Sequence, residues 1–184
     1  VTGALQPALH ADALGVLAGW LAPTLAQERL RSSYVDLLTT RPDACSRSCF
    51  PAHLTAGALV ISDDGHRVLL NLHRKAGRWF HFGGHLEPGD ATLADAALRE
   101  ATEESGLAGL VLDLEPLHLS RHTVPFCDPR GPVDHCDVRF RAVAPASAVP
   151  AVSAESLDVR WWPVDELPTD EPDMVEMVQL ARGR

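Results

Sequence analysis

Glu100, Glu103 and Glu104 stand at i, i+3 and i+4. On a helix that spacing puts three carboxylates on one face, within reach of one another. Crowded like charges repel, each pair costing roughly a few tenths of a kcal/mol. A divalent cation cancels that repulsion, and hard oxygen ligands at this spacing suit Mg2+ or Mn2+. Arg99, four residues before Glu103, is placed to orient it by a charge-assisted bond. Ala94, Leu98 and Ala101 fall on a different face, so the helix can pack while its acids face a cleft. The Gly83-Gly84 pair upstream lets the backbone approach that cleft, where the Gly84 carbonyl could complete a metal shell. Taken alone, Glu-x-x-Glu-Glu also describes an ordinary solvated helix face. The surrounding residues decide between the two.

Arg74, Lys75 and Arg78 lie just before this segment and are candidates for holding a substrate phosphate. A basic strand end is the plainer alternative. His81 and His85 bracket the glycine pair and are candidate phosphate or base contacts, or else hydrogen-bonded structural histidines. His118, His122 and His135 sit on later strands that could line the same cleft. Cys45 and Cys49, with Cys127 and Cys136, lack the tight C-x2-C spacing of a zinc site. Cys127 and Cys136 flank a hairpin-like loop and could face each other.

These residues need elements to hold them. The spacing predicts the acid-bearing helix from Thr92 to Ser105, with Thr92 and Asp95 at its start and Gly106 as its cap. Strands are predicted over 53–62 and 67–73, joined at Asp63-Asp64-Gly65 as a hairpin. A short aromatic strand over 78–82 should end at Gly83-Gly84. Two more strands are expected over 108–125 and 133–144, a last one over 157–162, and a closing helix over 171–182. Residues 1–44 read as a helical hairpin, with Leu14, Leu17 and Leu21 on the first helix and Leu30, Tyr34, Leu37 and Leu38 on the second. Thr24 and Gln27 resemble a capping box. About 45 residues bury too little to stand alone, so the hairpin should pack on a main domain spanning 45–184. Strands mixed with helices give an α+β or α/β sheet with helices packed on it.

Composition sets the outer limits. The 184 residues are 46% hydrophobic and 22% charged, enough apolar content for a core and too much for a disordered chain. No run is long and apolar enough for a spanning helix, and the start lacks a secretory pattern, so a cytoplasmic protein with reduced thiols is expected. The net charge of −9 disfavours a stable nucleic-acid partner.

The stretch from Gly84 to Leu107 resembles the box of the Nudix hydrolase superfamily. Arg99, Glu100, Ala101, Glu103, Glu104, Gly106 and Leu107 match its second half, and Gly84 its first glycine. Two positions depart from the pattern: the intervening acid is Asp90 instead of Glu, and its spacer to Arg99 is eight residues, one longer. The resemblance spans about residues 52–184 and implies an αβα sandwich around a mixed sheet, preceded by the N-terminal helices. It implies hydrolysis of the diphosphate linkage in a nucleoside diphosphate joined to a further group. It assigns metal binding to Glu100, Glu103 and Glu104, with the Gly84 carbonyl, and leaves open which glutamate is the base. Some members take it from a loop outside the box, where Glu155 is the candidate here. It is compatible with a homodimer. Its altered first half keeps a second reading in play, a Nudix-fold binding or regulatory module with little turnover. A prenyl diphosphate isomerase would call on Cys49, whose surroundings do not match.

Overall fold

The computed structural model describes residues 6–154 and 156–184. Glu155 and residues 1–5 lie outside the described residues. The elements run α1 (Pro7–Gly19), α2 (Leu25–Thr40), β1 (Ala52–Ser62), β2 (Arg67–His73), β3 (Trp79–Phe80), β4 (Phe82–His85), α3 (Leu93–Ser105), β5 (Val111–Leu112), β6 (His118–Asp128), β7 (Gly131–Ala144), β8 (Ser156–Pro163) and α4 (Pro172–Arg182). No helix among the described residues is long and apolar enough to cross a membrane.

β1 and β7 form the spine of one mixed sheet. They run parallel in continuous register from Ala52↔Asp134 to Ser62↔Ala144. The other pairings are antiparallel: β1 with β2 and with β4, β2 with β3 and β8, and β7 with β5 and β6. β1 is buried along its whole length because both faces are covered. Leu54, Ala56, Ala58 and Val60 join the cluster beneath α3 and α1, while Leu59 and Ile61 join Met174, Met177 and Val178 of α4. The result is the αβα sandwich.

Two strands break differently from the sequence expectation. The glycine pair does not end the aromatic strand; the interruption falls at His81, and Gly83-Gly84 lie inside β4. Gly83 pairs with Gly57, and a Cβ on Gly83 would come within 2.8 Å of the Gly57 Cα. The residues expected as one strand over 108–125 form β5 and β6, separated by a loop through Pro116. β6 and β7 then meet in a tight turn at Asp128↔Gly131.

The N-terminal helices are present. α1 buries Leu9, Ala13 and Leu17, followed by Trp20, whereas Leu21 is 91% exposed in the connection to α2. Leu17 is buried and Leu14 packs against the core as expected, while Trp20 takes the place expected of Leu21. α2 begins as expected, with the Thr24 hydroxyl accepting the Gln27 N–H at 3.2 Å. The Gln27 side chain does not close the box. It turns to the edge of the sheet, where its amide donates to the Leu119 carbonyl at 3.0 Å and accepts the Leu119 N–H at 2.6 Å. Tyr34 donates its hydroxyl to the neighbouring Ser120 carbonyl at 2.5 Å. From α1, Asp12 accepts the Leu93 N–H at 2.8 Å, in the first turn of α3.

Gln27 thus satisfies two backbone groups that would otherwise be buried without partners. Gln27→Ala is expected to lower unfolding free energy by roughly 2–4 kcal/mol, because an unmet buried group costs about 1–3 kcal/mol. Leu21→Ala should change it by less than about 0.5 kcal/mol, as exposed substitutions do. Urea unfolding of both variants checks the pair.

Candidate active site

α3 carries the acids and is fixed at both ends. Thr92 and Asp95 form a reciprocal capping box, and Gly106 closes the helix in the left-handed region at φ 69°. Leu93, Ala96, Ala97 and Ala101 face the sheet. Ala94 and Leu98 flank that face, and the acids lie along its border instead of opposite it. Glu104 is buried, Glu100 is half-buried, and Glu103 keeps 63% of its side chain exposed.

Arg99 gathers the site. Its Nε and Nη2 donate to the two oxygens of Asp90 at 3.0 and 3.1 Å. Nη1 donates to Glu100 at 3.0 Å and to Glu103 at 3.4 Å, and Nη2 also donates to the His85 carbonyl at 3.0 Å. The Asp90 bonds, then those of Glu100, raise the Arg99 pKa further above its ordinary value, against the effect of burial. Asp90 also accepts the Glu87 N–H at 2.7 Å, so one aspartate folds the loop and locks the arginine. The eight-residue spacer is accommodated without loss of that contact.

Glu104 is held from the sheet side. One of its oxygens accepts the Gly83 N–H at 3.3 Å and the Asn71 amide at 3.4 Å. The Glu100 carboxylate lies so close to β4 that a Cβ at Gly84 would fall 2.7 Å from its oxygen. A side chain at Gly84 would push the Glu100 carboxylate away from the strand. Hard carboxylate oxygens packed around a bare backbone segment form a donor set that fits a small divalent cation.

The basic residues are placed at the β2–β3 end. Arg74 donates to the carbonyls of Ala154 and Ser156 at 3.1 and 2.9 Å, and Arg78 pairs with Glu171. Lys75 is exposed; with His73, Arg74 and Ala154 it borders a hollow of about 120 Å³. The two bracketing histidines separate. His81 turns to the α4 face and lies 3.2 Å from Asp137. His85 contributes its carbonyl to Arg99, while its ring joins a cluster with His53, His135 and Cys127.

The α4 face of the sheet carries a buried polar network in which His81 and His118 meet Thr55, Asp137 and Arg139, three residues that the sequence did not single out. Arg139 donates to Asp137 at 2.8 Å, and Thr55 donates to Asp137 at 3.1 Å. Burial opposes ionisation of Asp137, but the Arg139 guanidinium and His81 hold its pKa well below the carboxylate range. Burial, then the same guanidinium, lowers His81 and brings His118 to about 4. Both imidazoles are therefore neutral near pH 7. Asp137 and Arg139 alternate along β7, and that spacing was the available signal. The cysteines also fall differently from expectation. Cys136 faces the core opposite Arg121, so it does not meet Cys127. Burial pushes the Cys49 thiol up to about 11, which leaves it unsuited to act as a thiolate.

Among curated proteins, none matches this chain. Solved structures share its fold at low identity. A NUDIX-family hydrolase of Clostridium perfringens is 22% identical, with a TM-score of 0.55, covering 70% of this chain and 95% of the other. The Escherichia coli dihydroneopterin triphosphate pyrophosphohydrolase is 16% identical, with a TM-score of 0.57 and coverage of 71% and 96%. The NUDIX domain of Shewanella oneidensis NrtR, solved with ADP ribose, is 22% identical, with a TM-score of 0.54 and coverage of 76% and 92%. The family model for the NUDIX domain matches residues 51–181, from the first strand of the spine to the end of the last helix. With the box assembled around Arg99 and the sandwich formed, the chain belongs to the NUDIX family, within the Nudix hydrolase superfamily.

Proposed function

We propose that this chain is a divalent-metal-dependent hydrolase that cleaves the diphosphate linkage of a small nucleoside diphosphate joined to a second group. The observation that carries this reading is the Arg99 fork, which assembles Asp90, Glu100, Glu103 and the His85 carbonyl beside Glu104. Glu100, Glu103 and Glu104, with the Gly84 carbonyl, would hold Mg2+ or Mn2+. Such an ion supplies charge neutralisation of phosphate oxygens and makes a nearby water more acidic. Glu103 is the solvent-reaching acid of the set and is our choice to take the proton from the attacking water. Arg99 and Asp90 act as positioning residues. Arg74 and Lys75, beside the hollow at the β2–β3 end, are our choice for contacts to the distal phosphate or sugar. A cytoplasmic setting, suggested by four unpaired thiols, belongs to the same proposal. Since Asp90 reaches Arg99, the longer spacer gives no argument for a non-catalytic binding module.

The decisive experiment exposes the protein to a panel of nucleotide sugars, ADP-ribose, NADH, dinucleoside polyphosphates and dNTPs. Each is tested with Mg2+, with Mn2+ and with EDTA, and products are read by mass spectrometry. Cleavage between the phosphates is expected with metal and not with EDTA. Glu103→Gln/Glu104→Gln should lower kcat by about 10²–10⁴-fold, the range for loss of acid–base function. Ligand binding without turnover, unchanged by the double substitution, would overturn the reading.

Asp90→Ala separates positioning from chemistry. It breaks a nearly buried ion pair, so stability should fall by about 3 kcal/mol. Activity should fall roughly 10–100-fold, as when a group orienting metal ligands is lost. Urea unfolding and steady-state kinetics on the same preparation test both numbers.

A further inference from the structure

His53, His85, His135 and Cys127 converge where β1 and β7 begin and β4 and β6 end. One ligand atom from each lies within 4.8 Å of the others. The Cys127 sulfur is 3.4 Å from His85 Nε2 and 3.3 Å from His135 Nε2. The His53 ring centroid stands 5.1 and 4.9 Å from those of His85 and His135.

Hydrogen bonding alone does not explain this cluster. The Cys127 thiol can serve both facing imidazole nitrogens, as donor to one and acceptor from the other, but the cluster leaves a third nitrogen unmet. His53 is fully buried, and its Nε2 has no hydrogen-bond partner. Its other nitrogen, Nδ1, lies 3.1 Å from the Cys49 carbonyl. Donation from Nδ1–H to that carbonyl fixes the tautomer and aims the Nε2 lone pair into the cluster. A ligating histidine is normally oriented in this way by a backbone carbonyl on its far side. Burial lowers the pKa of all three imidazoles, to about 3 for His85 and about 4 for His135, leaving them in the neutral form that ligates.

We infer that these four side chains form a zinc-type metal site, separate from the carboxylate face, with His53, His85 and His135 as nitrogen ligands and Cys127 as the thiolate. Zn–N bonds near 2.0 Å and a Zn–S bond near 2.3 Å imply ligand–ligand edges of about 3.3–3.6 Å in a tetrahedron. The two sulfur–nitrogen distances already have that length. The remaining separations close by side-chain rotation. Imidazole and thiolate select Zn2+ over Mg2+, whereas the hard carboxylates of the other face suit Mg2+ or Mn2+. Four protein ligands leave no open position, which marks the site as structural. It would tie four strands together at one point. Through the His85 backbone, it would also fix the carbonyl that Arg99 grips. The inference stands independently of the hydrolase reading.

The test strips the full chain with a chelator and titrates it with Co2+, a spectroscopic stand-in for zinc. One equivalent should produce an intense thiolate-to-cobalt band and the visible absorption of tetrahedral geometry, and Zn2+ should bleach both. Cys127→Ser should lose the thiolate band. His135→Gln should weaken binding by about 100-fold or more. Circular dichroism establishes that each variant is folded, and wild-type spectra stand even if a variant is not. Glu103→Gln/Glu104→Gln should keep the band, which separates this site from the carboxylates. A saturated wild-type titration with no thiolate band, or a band unchanged in folded Cys127→Ser, would overturn the assignment.

Discussion

Arg99 is the constraint on which the site depends. A guanidinium offers five N–H donors in one plane. Here those donors reach two acids of the helix, one acid of the loop and one strand carbonyl. That positive charge offsets the mutual repulsion of Asp90, Glu100 and Glu103. With it, the loop from β4 to α3 has one arrangement. Lysine carries the same charge but no fork, and it could not hold Asp90 through two bonds while reaching the others.

The second organising feature is the unequal chemistry of the two sheet faces. The α3 side is mainly apolar and closely packed, with Asn71 meeting Glu104 at its border. The α4 side carries Thr55, His81, Asp137, Arg139 and His118 among its apolar residues. Buried charges of this kind are tolerated because each is matched, and removing one partner would strand the other. Such a network contributes little net stability but allows few alternative arrangements.

Much of this was legible in the chain. The capping signals, the β1–β2 turn and the acid spacing are local, and local features are written in contiguous residues. The sequence also carried the box and, through it, the fold. What it concealed depends on pairing across long distances. Gly83-Gly84 reads as a terminator until Gly57 is known to lie against it. Gln27 reads as a helix cap until Leu119 offers a better partner. The histidine–cysteine cluster draws single residues from four strands, so no spacing announces it. His53 and His135 are register partners across a parallel pair, a relation that only the folded sheet creates.

The contact of Gln27 with Leu119 has a consequence for how the protein behaves toward its own copies. An open strand edge is a template on which another chain can add. Here a side-chain amide imitates the next strand at Leu119, and a tyrosine hydroxyl occupies the following carbonyl. The N-terminal helices therefore end the sheet instead of merely covering it. At that edge they leave a second copy fewer free backbone groups on which to add a strand.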